Sequence, residues 1–129
     1  MIRVLYVEDN EDNIYMLTKR LKKKSFEVLV AQNGQEGVDI ALDQKPDIIL
    51  MDLSLPIKDG WQAIEELKGN SLVKHIPIIA LSAHAMDQHR LDALKAGAED
   101  FDTKPVDLNR LLAKMTQLLQ DASNTRETD

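Results

Sequence analysis

Residues 47–60 read D-I-I-L-M-D-L-S-L-P-I-K-D-G, and this stretch decides the fold. The apolar run within 47–51 has the length of a strand and ends at the carboxylate of Asp52. An unbroken apolar run is typical of a strand that is covered on both faces, as in a parallel sheet. Leu55-Pro56 and Asp59-Gly60 then indicate a loop before the next helix.

On either side of this stretch, strand patterns alternate with helix patterns. Four further segments are predicted strands, at residues 2–7, 26–31, 76–81 and, as a short fifth strand, 99–102. Apolar residues at helical spacing predict helices at 13–24, around 37–42, and at 61–68, 85–96 and 108–119. Asp107 is a predicted helix cap, and Gly97 is a predicted helix end. The alternation predicts an α/β fold, with a five-stranded parallel sheet and helices on both faces.

Length, charge and composition limit the classes of function. The chain has 129 residues, enough for one domain, which we expect over 1–121 with a polar C-terminal tail at 122–129. The absence of cysteine excludes disulfides, thiolate metal sites and a cysteine nucleophile. A formal charge of −6 argues against direct nucleic-acid binding. No apolar run approaches the ~20 residues that span a bilayer, and the N-terminus lacks the pattern of a signal peptide. We therefore expect a cytoplasmic protein without membrane insertion.

Polar side chains follow four of the five predicted strands at their carboxyl ends, where ligands bind in sheets of this type. The residues are Glu8, Asp9, Asp52, Ser82 and Lys104. Clustered carboxylates repel one another unless a cation lies between them, and carboxylate oxygens suit Mg²⁺. A lysine opposite them can neutralise an anion. An anion held between a lysine and Mg²⁺ is most simply a phosphoryl group.

Each of these residues also has an ordinary structural interpretation. Glu8 and Asp9 can start a helix, Asp52 can end a strand in a turn, Ser82 can cap a helix, and Lys104 can be a solvated loop residue. The hypothesis of a joint site rests on all of them falling at the same edge of the predicted sheet.

Four motifs carry a family resemblance. The segments V-E-D after the first strand, M-D-L-S-L-P followed by D-G, L-S-A after the fourth strand, and F-D-T-K-P resemble the receiver domain of bacterial two-component response regulators. The resemblance covers residues 2–120 and is greatest to stand-alone, chemotaxis-regulator-like members. It implies a flavodoxin-like sheet with strand order 2-1-3-4-5.

The resemblance also implies residue roles. Asp52 would be the phosphoacceptor, and Lys104 would contact the phosphoryl oxygens. The implied Mg²⁺ ligands are Asp9, Asp52, the backbone carbonyl of Ser54 and, mainly through water, Glu8.

Ser82 and Phe101 would form the switch of this family. Many members have tyrosine where this chain has Phe101, so a signal carried by that hydroxyl is lost, while an aromatic packing switch is still feasible. His84 is interpreted as an exposed residue at a helix start. The Lys104-Pro105 bond is predicted to be cis.

The resulting function is a signalling switch in a two-component system or phosphorelay. A histidine kinase or histidine phosphotransfer protein would donate the phosphoryl group, and a downstream protein would be the target. The chain would catalyse its own Mg²⁺-dependent phosphorylation and dephosphorylation, without turnover of an external substrate.

Three other classes of function compete with this interpretation. A phosphatase would place a second acid two residues after the nucleophile, where this chain has Ser54. A nucleotide or flavin binder would have a phosphate-binding loop after the first strand, but E-D-N-E-D would repel phosphate. A phosphorylation-independent interaction module on the same fold stays open.

Overall fold

Five strands alternate with five helices along the chain, and the computed structural model describes residues 1–84 and 86–128. The strands are β1 (Arg3–Val7), β2 (Glu27–Ala31), β3 (Ile48–Asp52), β4 (Ile78–Ser82) and β5 (Asp100–Thr103). The helices are α1 (Glu11–Lys23), α2 (Gly34–Gln44), α3 (Gly60–Lys68), α4 (Asp87–Ala96) and α5 (Leu108–Thr128).

The strands form one sheet in the order β2-β1-β3-β4-β5, and every neighbouring pair is parallel. This is the predicted order. From β1 the chain adds β2 on one side of the sheet and β3 on the other. The carboxyl ends of β1 and β3 therefore bound a crevice. The register places Val7 opposite Met51, and Asp52 opposite Leu81, at that edge.

Alternate side chains of each central strand enter two separate core layers. On one face, Leu5 and Val7 of β1 pack in a cluster with residues of α2, α3 and α4. On the other face, Val4 and Tyr6 pack in a cluster with residues of α1 and α5. All five residues of β3 and of β4 are buried, as their unbroken apolar sequences predict. The polar residues at the carboxyl ends of β3 and β4 therefore follow strands that are packed on both faces.

Several element ends differ from the predicted ones. Helix α1 begins at Glu11 rather than at 13, because the Asn10 side chain caps it by accepting the Asn13 N–H at 2.9 Å. The predicted start of the fourth helix, Ala85, lies outside the described residues, and α4 begins at Asp87.

Helix α5 continues to Thr128, beyond the predicted end of the apolar spacing at 119 and through most of the segment expected to be a tail. Its extension is polar, and a polar helix gives no periodic signal in the sequence. Asp107 caps this helix as predicted, by accepting the Arg110 N–H at 3.1 Å. Gly97 ends α4 with a φ of 119°, a left-handed conformation that favours glycine. The Lys104-Pro105 bond is cis, as predicted. No helix within the described ranges is long and apolar enough to cross a membrane.

One lysine joins α3 to the start of β4 and β5. The Lys68 ammonium donates to the carbonyls of Lys74 and Ile76, at 3.0 and 2.8 Å, and forms an ion pair with Glu99. The other oxygen of Glu99 accepts the Ile78 N–H at 2.6 Å. This network satisfies backbone groups at the amino-terminal edge of the sheet, opposite the edge with the acidic residues.

Candidate functional site

Three carboxylates converge at the carboxyl ends of β1 and β3. Glu8 and Asp9 directly follow β1, and Asp52 is the last residue of β3. Their ligand oxygens lie within 4.8 Å of one another. Glu8 and Asp52 are 1% and 4% exposed, whereas Asp9 is open to solvent. The sequence-predicted acidic residues therefore do form one cluster.

Lys104 reaches into this cluster from the end of β5. Its ammonium lies 3.3 Å from Oδ2 of Asp52 and forms an ion pair with Oε1 of Glu8. Its backbone N–H donates to the carbonyl of Ser82 at 2.8 Å, which fixes the chain next to β4. One cation therefore bridges two buried carboxylates.

Ser82 and Ser54 lie at the same edge of the sheet. Ser82 is 3% exposed, and its hydroxyl oxygen accepts the His84 N–H at 3.0 Å. The His84 side chain is exposed, as expected. The Ser54 N–H donates to Oδ1 of Asp52 at 3.4 Å. Both serines are thus near the phosphoacceptor candidate, and the role of the Ser54 carbonyl as a metal ligand stays a prediction.

Phe101 lies in the core layer formed with α2, α3 and α4, and only 6% of its surface is exposed. Its neighbour in the register on β4 is Ala80, two residues before Ser82. The aromatic ring therefore packs inward, in this core layer.

Position 60 requires glycine because its backbone lies close to the end of β3. A Cβ at this position would lie 2.2 Å from the backbone carbonyl oxygen of Asp52, a distance that no side chain tolerates. The helix α3 begins at this glycine, capped by Asp59, whose side chain accepts the Gln62 N–H at 2.9 Å. The D-G pair of the sequence thus packs α3 directly against the candidate site.

The pKa values of the two buried carboxyl groups, Asp52 and Glu8, are shifted in opposite directions. Burial, together with the negative charge of Glu8, raises the pKa of Asp52 to about 6, although Lys104 opposes the shift. Burial also acts to raise the pKa of Glu8, but the hydrogen bonds and charge of Lys104 outweigh it and hold that pKa below its usual value. The metal-free site is thus short of positive charge at neutral pH.

The donor set fits Mg²⁺. Hard divalent cations prefer carboxylate oxygens, and one lysine cannot neutralise three carboxylates at this spacing. A cation at the cluster would relieve the repulsion that raises the pKa of Asp52.

Two polar groups near Glu8 were not recognised as site residues from the sequence. The Tyr6 hydroxyl lies 3.4 Å from Oε1 of Glu8, and Nδ2 of Asn13 lies 3.3 Å from the same oxygen. Burial, followed by the charges of Glu8 and Asp52, raises the pKa of Tyr6, so its phenol stays a donor. The available signal was a tyrosine in an otherwise aliphatic strand, whose buried hydroxyl needs a partner.

The chain matches the family of response regulator receiver domains over residues 4–116. It is 36% identical over 119 residues to the protein PilH of Pseudomonas aeruginosa, covering 92% of this chain and 98% of the relative. It is 34% identical to the polar-differentiation response regulator DivK of Brucella anthropi, covering 92% and 97%.

A solved structure with the same fold is the receiver domain of a sensor histidine kinase from Pseudomonas aeruginosa PAO1. It has a TM-score of 0.86 and 32% identity, and the match covers 92% of this chain and 98% of that one. That structure has a magnesium ion coordinated in its active site cleft. The chain belongs to the receiver domain family, whose members act in phosphorylation-dependent two-component signalling.

Proposed function

We propose that the protein is a phosphorylation switch whose Asp52 accepts a phosphoryl group from a phosphohistidine of a histidine kinase or a histidine phosphotransfer protein. The observation that carries the proposal is the buried Asp52 carboxylate, with two further carboxylates within 4.8 Å and the Lys104 ammonium 3.3 Å away. Phosphoryl transfer needs mainly positioning and charge neutralisation, and this arrangement supplies both.

In the proposed reaction, an oxygen of Asp52 attacks phosphorus while the P–N bond to the donor imidazole breaks. The imidazole nitrogen takes up a proton as it leaves, and Asp52 becomes an acyl phosphate. Water later attacks phosphorus, which returns the carboxylate and releases inorganic phosphate. Apart from the donor and water, the chain needs no substrate, so we propose no turnover of an external one.

Each residue of the site has a proposed role. Asp9, Asp52 and the Ser54 carbonyl would hold Mg²⁺, with Glu8 acting mainly through water. When bound, the metal would neutralise the carboxylates and the phosphoryl oxygens. Lys104 would turn from the carboxylates to a phosphoryl oxygen, since its ammonium already lies within reach of Asp52. The Ser82 hydroxyl would donate to another phosphoryl oxygen.

The donor would dock beside the site. A groove of about 530 Å³ between α1 and the turn after β5 is lined by Met16, Arg20, Lys104 and Pro105, among others. Met16 is 51% exposed, so part of its apolar side chain is open to a partner. A protein that carries a phosphohistidine could cover this apolar surface while its imidazole reaches Asp52. The same proposal assigns the protein to the cytoplasm, where histidine kinases hold their phosphoryl groups.

The output would be a shift of population. A phosphoryl group adds about −1.5 to −2 charges and favours conformers in which Ser82 points toward Asp52. Phe101 would pack behind it, and a downstream protein would bind the changed surface. Because phenylalanine has no hydroxyl to keep in water, the inward ring would be partly populated before phosphorylation, and phosphorylation would then add a modest gain in affinity.

The test is labelling at Asp52. Incubation with acetyl phosphate and Mg²⁺ should add one phosphoryl mass to the wild type and to the exposed-site control Asp12→Asn. Asp52→Asn should take up no label. Labelling of Asp52→Asn at the wild-type rate would contradict the assignment. If the wild type itself takes up no label from acetyl phosphate or from histidine-phosphorylated donors, the burial of Phe101 favours a phosphorylation-independent interaction module.

A further inference from the structure

Oxygen Oε1 of Glu8 is shared by three donors from three different parts of the chain. They are the Lys104 ammonium, the Tyr6 hydroxyl at 3.4 Å and the Asn13 side-chain amide at 3.3 Å. We infer that Tyr6 and Asn13 are positioning residues that hold the Glu8 carboxylate when Lys104 leaves it for the phosphoryl group. This inference rests on the proposed role of Lys104 in phosphoryl binding.

If Lys104 moves from Glu8 to a phosphoryl oxygen, the loss of the ion pair with Glu8 costs free energy. Glu8 is 1% exposed, so its carboxylate depends on donors of the protein more than on bulk water. A buried carboxylate that loses an ion-pair partner keeps its charge at a desolvation cost. Any group that keeps Oε1 hydrogen-bonded lowers this cost and makes Lys104 easier to release.

Tyr6 and Asn13 are suited to this task because they belong to elements other than the one that carries Lys104. Tyr6 belongs to the central strand β1 and is 1% exposed, and Asn13 lies in the first turn of α1. Lys104 instead follows the short strand β5. The other Glu8 oxygen accepts the N–H groups of Asp9 and Asn10, at 3.1 and 3.3 Å, so the carboxylate stays anchored while the lysine turns.

The distance from the Tyr6 hydroxyl to Oε1 of Glu8 fits a hydrogen bond that is weak while Lys104 is present. An O–H···O hydrogen bond usually spans about 2.5–3.0 Å, so 3.4 Å is long. The Tyr6 hydrogen bond would shorten once Lys104 leaves Oε1. The ring itself needs no hydroxyl to fill the core layer with α1 and α5, where a phenylalanine would occupy the same volume.

The first experiment is a double-mutant cycle on unfolding, without Mg²⁺ or phosphoryl donor. Tyr6→Phe and Asn13→Ala are each made in the wild type and in Lys104→Met, and unfolding is followed in urea. If the residues replace Lys104 on Glu8, each change should raise the unfolding equilibrium constant about fivefold more in Lys104→Met than in the wild type. Fivefold corresponds to about 1 kcal/mol, an ordinary hydrogen bond.

The matched control is the other tyrosine, Tyr15, which is 66% exposed on α1. Tyr15→Phe should have the same effect in both backgrounds. If the effects of Tyr6→Phe and Asn13→Ala are also equal in both backgrounds, the residues are merely packed near Glu8 and the inference is overturned. Asn13→Ala keeps the test decisive if Tyr6→Phe does not fold.

The second experiment separates metal binding from phosphoryl binding. Affinities for Mg²⁺ alone and for Mg²⁺ with beryllofluoride, a phosphoryl mimic, are read from the fluorescence of Trp61, the single tryptophan. Only the mimic offers Lys104 an acceptor at the phosphoryl position in place of Glu8. Tyr6→Phe should therefore weaken beryllofluoride binding about fivefold and change Mg²⁺ affinity less than twofold. Equal weakening of both would refute the inference.

Failure of the proposed function would look different. A wild type that neither takes up label nor binds beryllofluoride would remove the role of Lys104 in phosphoryl binding. The unfolding cycle needs no phosphoryl group, so it would still decide whether Tyr6 and Asn13 compensate for the loss of Lys104.

Discussion

Replacing Asp52 with asparagine is expected to stabilise the metal-free protein at neutral pH. The carboxylate is 4% exposed and lies beside the Glu8 charge, and the single ammonium of Lys104 contacts both carboxylates. Asparagine has nearly the same shape and carries no charge. The substitution therefore removes the repulsion and keeps the packing.

The magnitude follows from the pKa. Asp52 is raised from an ordinary value of 3.8 to about 6 by burial and by Glu8. That difference corresponds to about 3 kcal/mol between the protonated and ionised forms of the native site. It is an upper limit for the gain, because Lys104 loses one of its two partners. We expect a gain in the free energy of unfolding of about 1–3 kcal/mol at pH 8.

The sign of the pH dependence is fixed by the same values. Between about pH 4 and 6 the native state holds a proton on Asp52 that the unfolded chain has lost, so wild-type stability falls as pH rises. Asp52→Asn lacks this contribution. The stability difference between the two proteins should be small at pH 4, grow up to about pH 6 and stay level above pH 7.

The assay is urea denaturation in EDTA at several pH values, with Asp92→Asn as a control at an exposed position of α4. The control should change stability by less than about 0.5 kcal/mol at every pH. Millimolar Mg²⁺ should then stabilise the wild type more than Asp52→Asn. If Asp52→Asn is no more stable than the wild type at pH 8 in EDTA, the site is not electrostatically strained and the reasoning fails.

Three further outcomes are expected. Asp9→Ala should lower Mg²⁺ affinity more than tenfold in a calorimetric titration, whereas Asp12→Ala, three residues along, should not; equal affinities would exclude Asp9 as a ligand. Lys68→Met should lower the free energy of unfolding by about 1–3 kcal/mol, because two carbonyls and one carboxylate lose their donor. The exposed Lys74→Met is its control, and an equal effect of both would contradict the network. The NMR signals of the Phe101 ring should shift on binding of beryllofluoride; an unchanged ring would make Phe101 a core residue only.

Much of the fold could be predicted from the sequence because its signals are local. The apolar runs that became β3 and β4 are buried on both faces, and their alternation with helices specifies a parallel sheet. Asp107 and Gly97 also act at single positions, as a cap and a helix end, so each could be recognised in isolation.

The ends of the helices were less predictable. Helix α1 begins earlier than its apolar spacing indicates, because the cap Asn10 and two acidic residues precede the first apolar position. Helix α5 runs past its apolar spacing because the residues of its extension are mostly polar and give no periodic signal. In both helices the apolar spacing marks only the residues that face the core, and the helix continues beyond them.

By itself, the sequence determined which residues stand at the carboxyl ends of the strands, and hence which chemistry could meet there. Only the tertiary structure decided how these residues share their contacts. Parallel strands bring together side chains that are distant in the chain, so Lys104 lies between Glu8 and Asp52, and Tyr6 turns its hydroxyl to the same carboxylate. The shifted pKa of Asp52 is a further consequence of that packing, because desolvation and charge repulsion depend on distances that no spacing in the sequence contains.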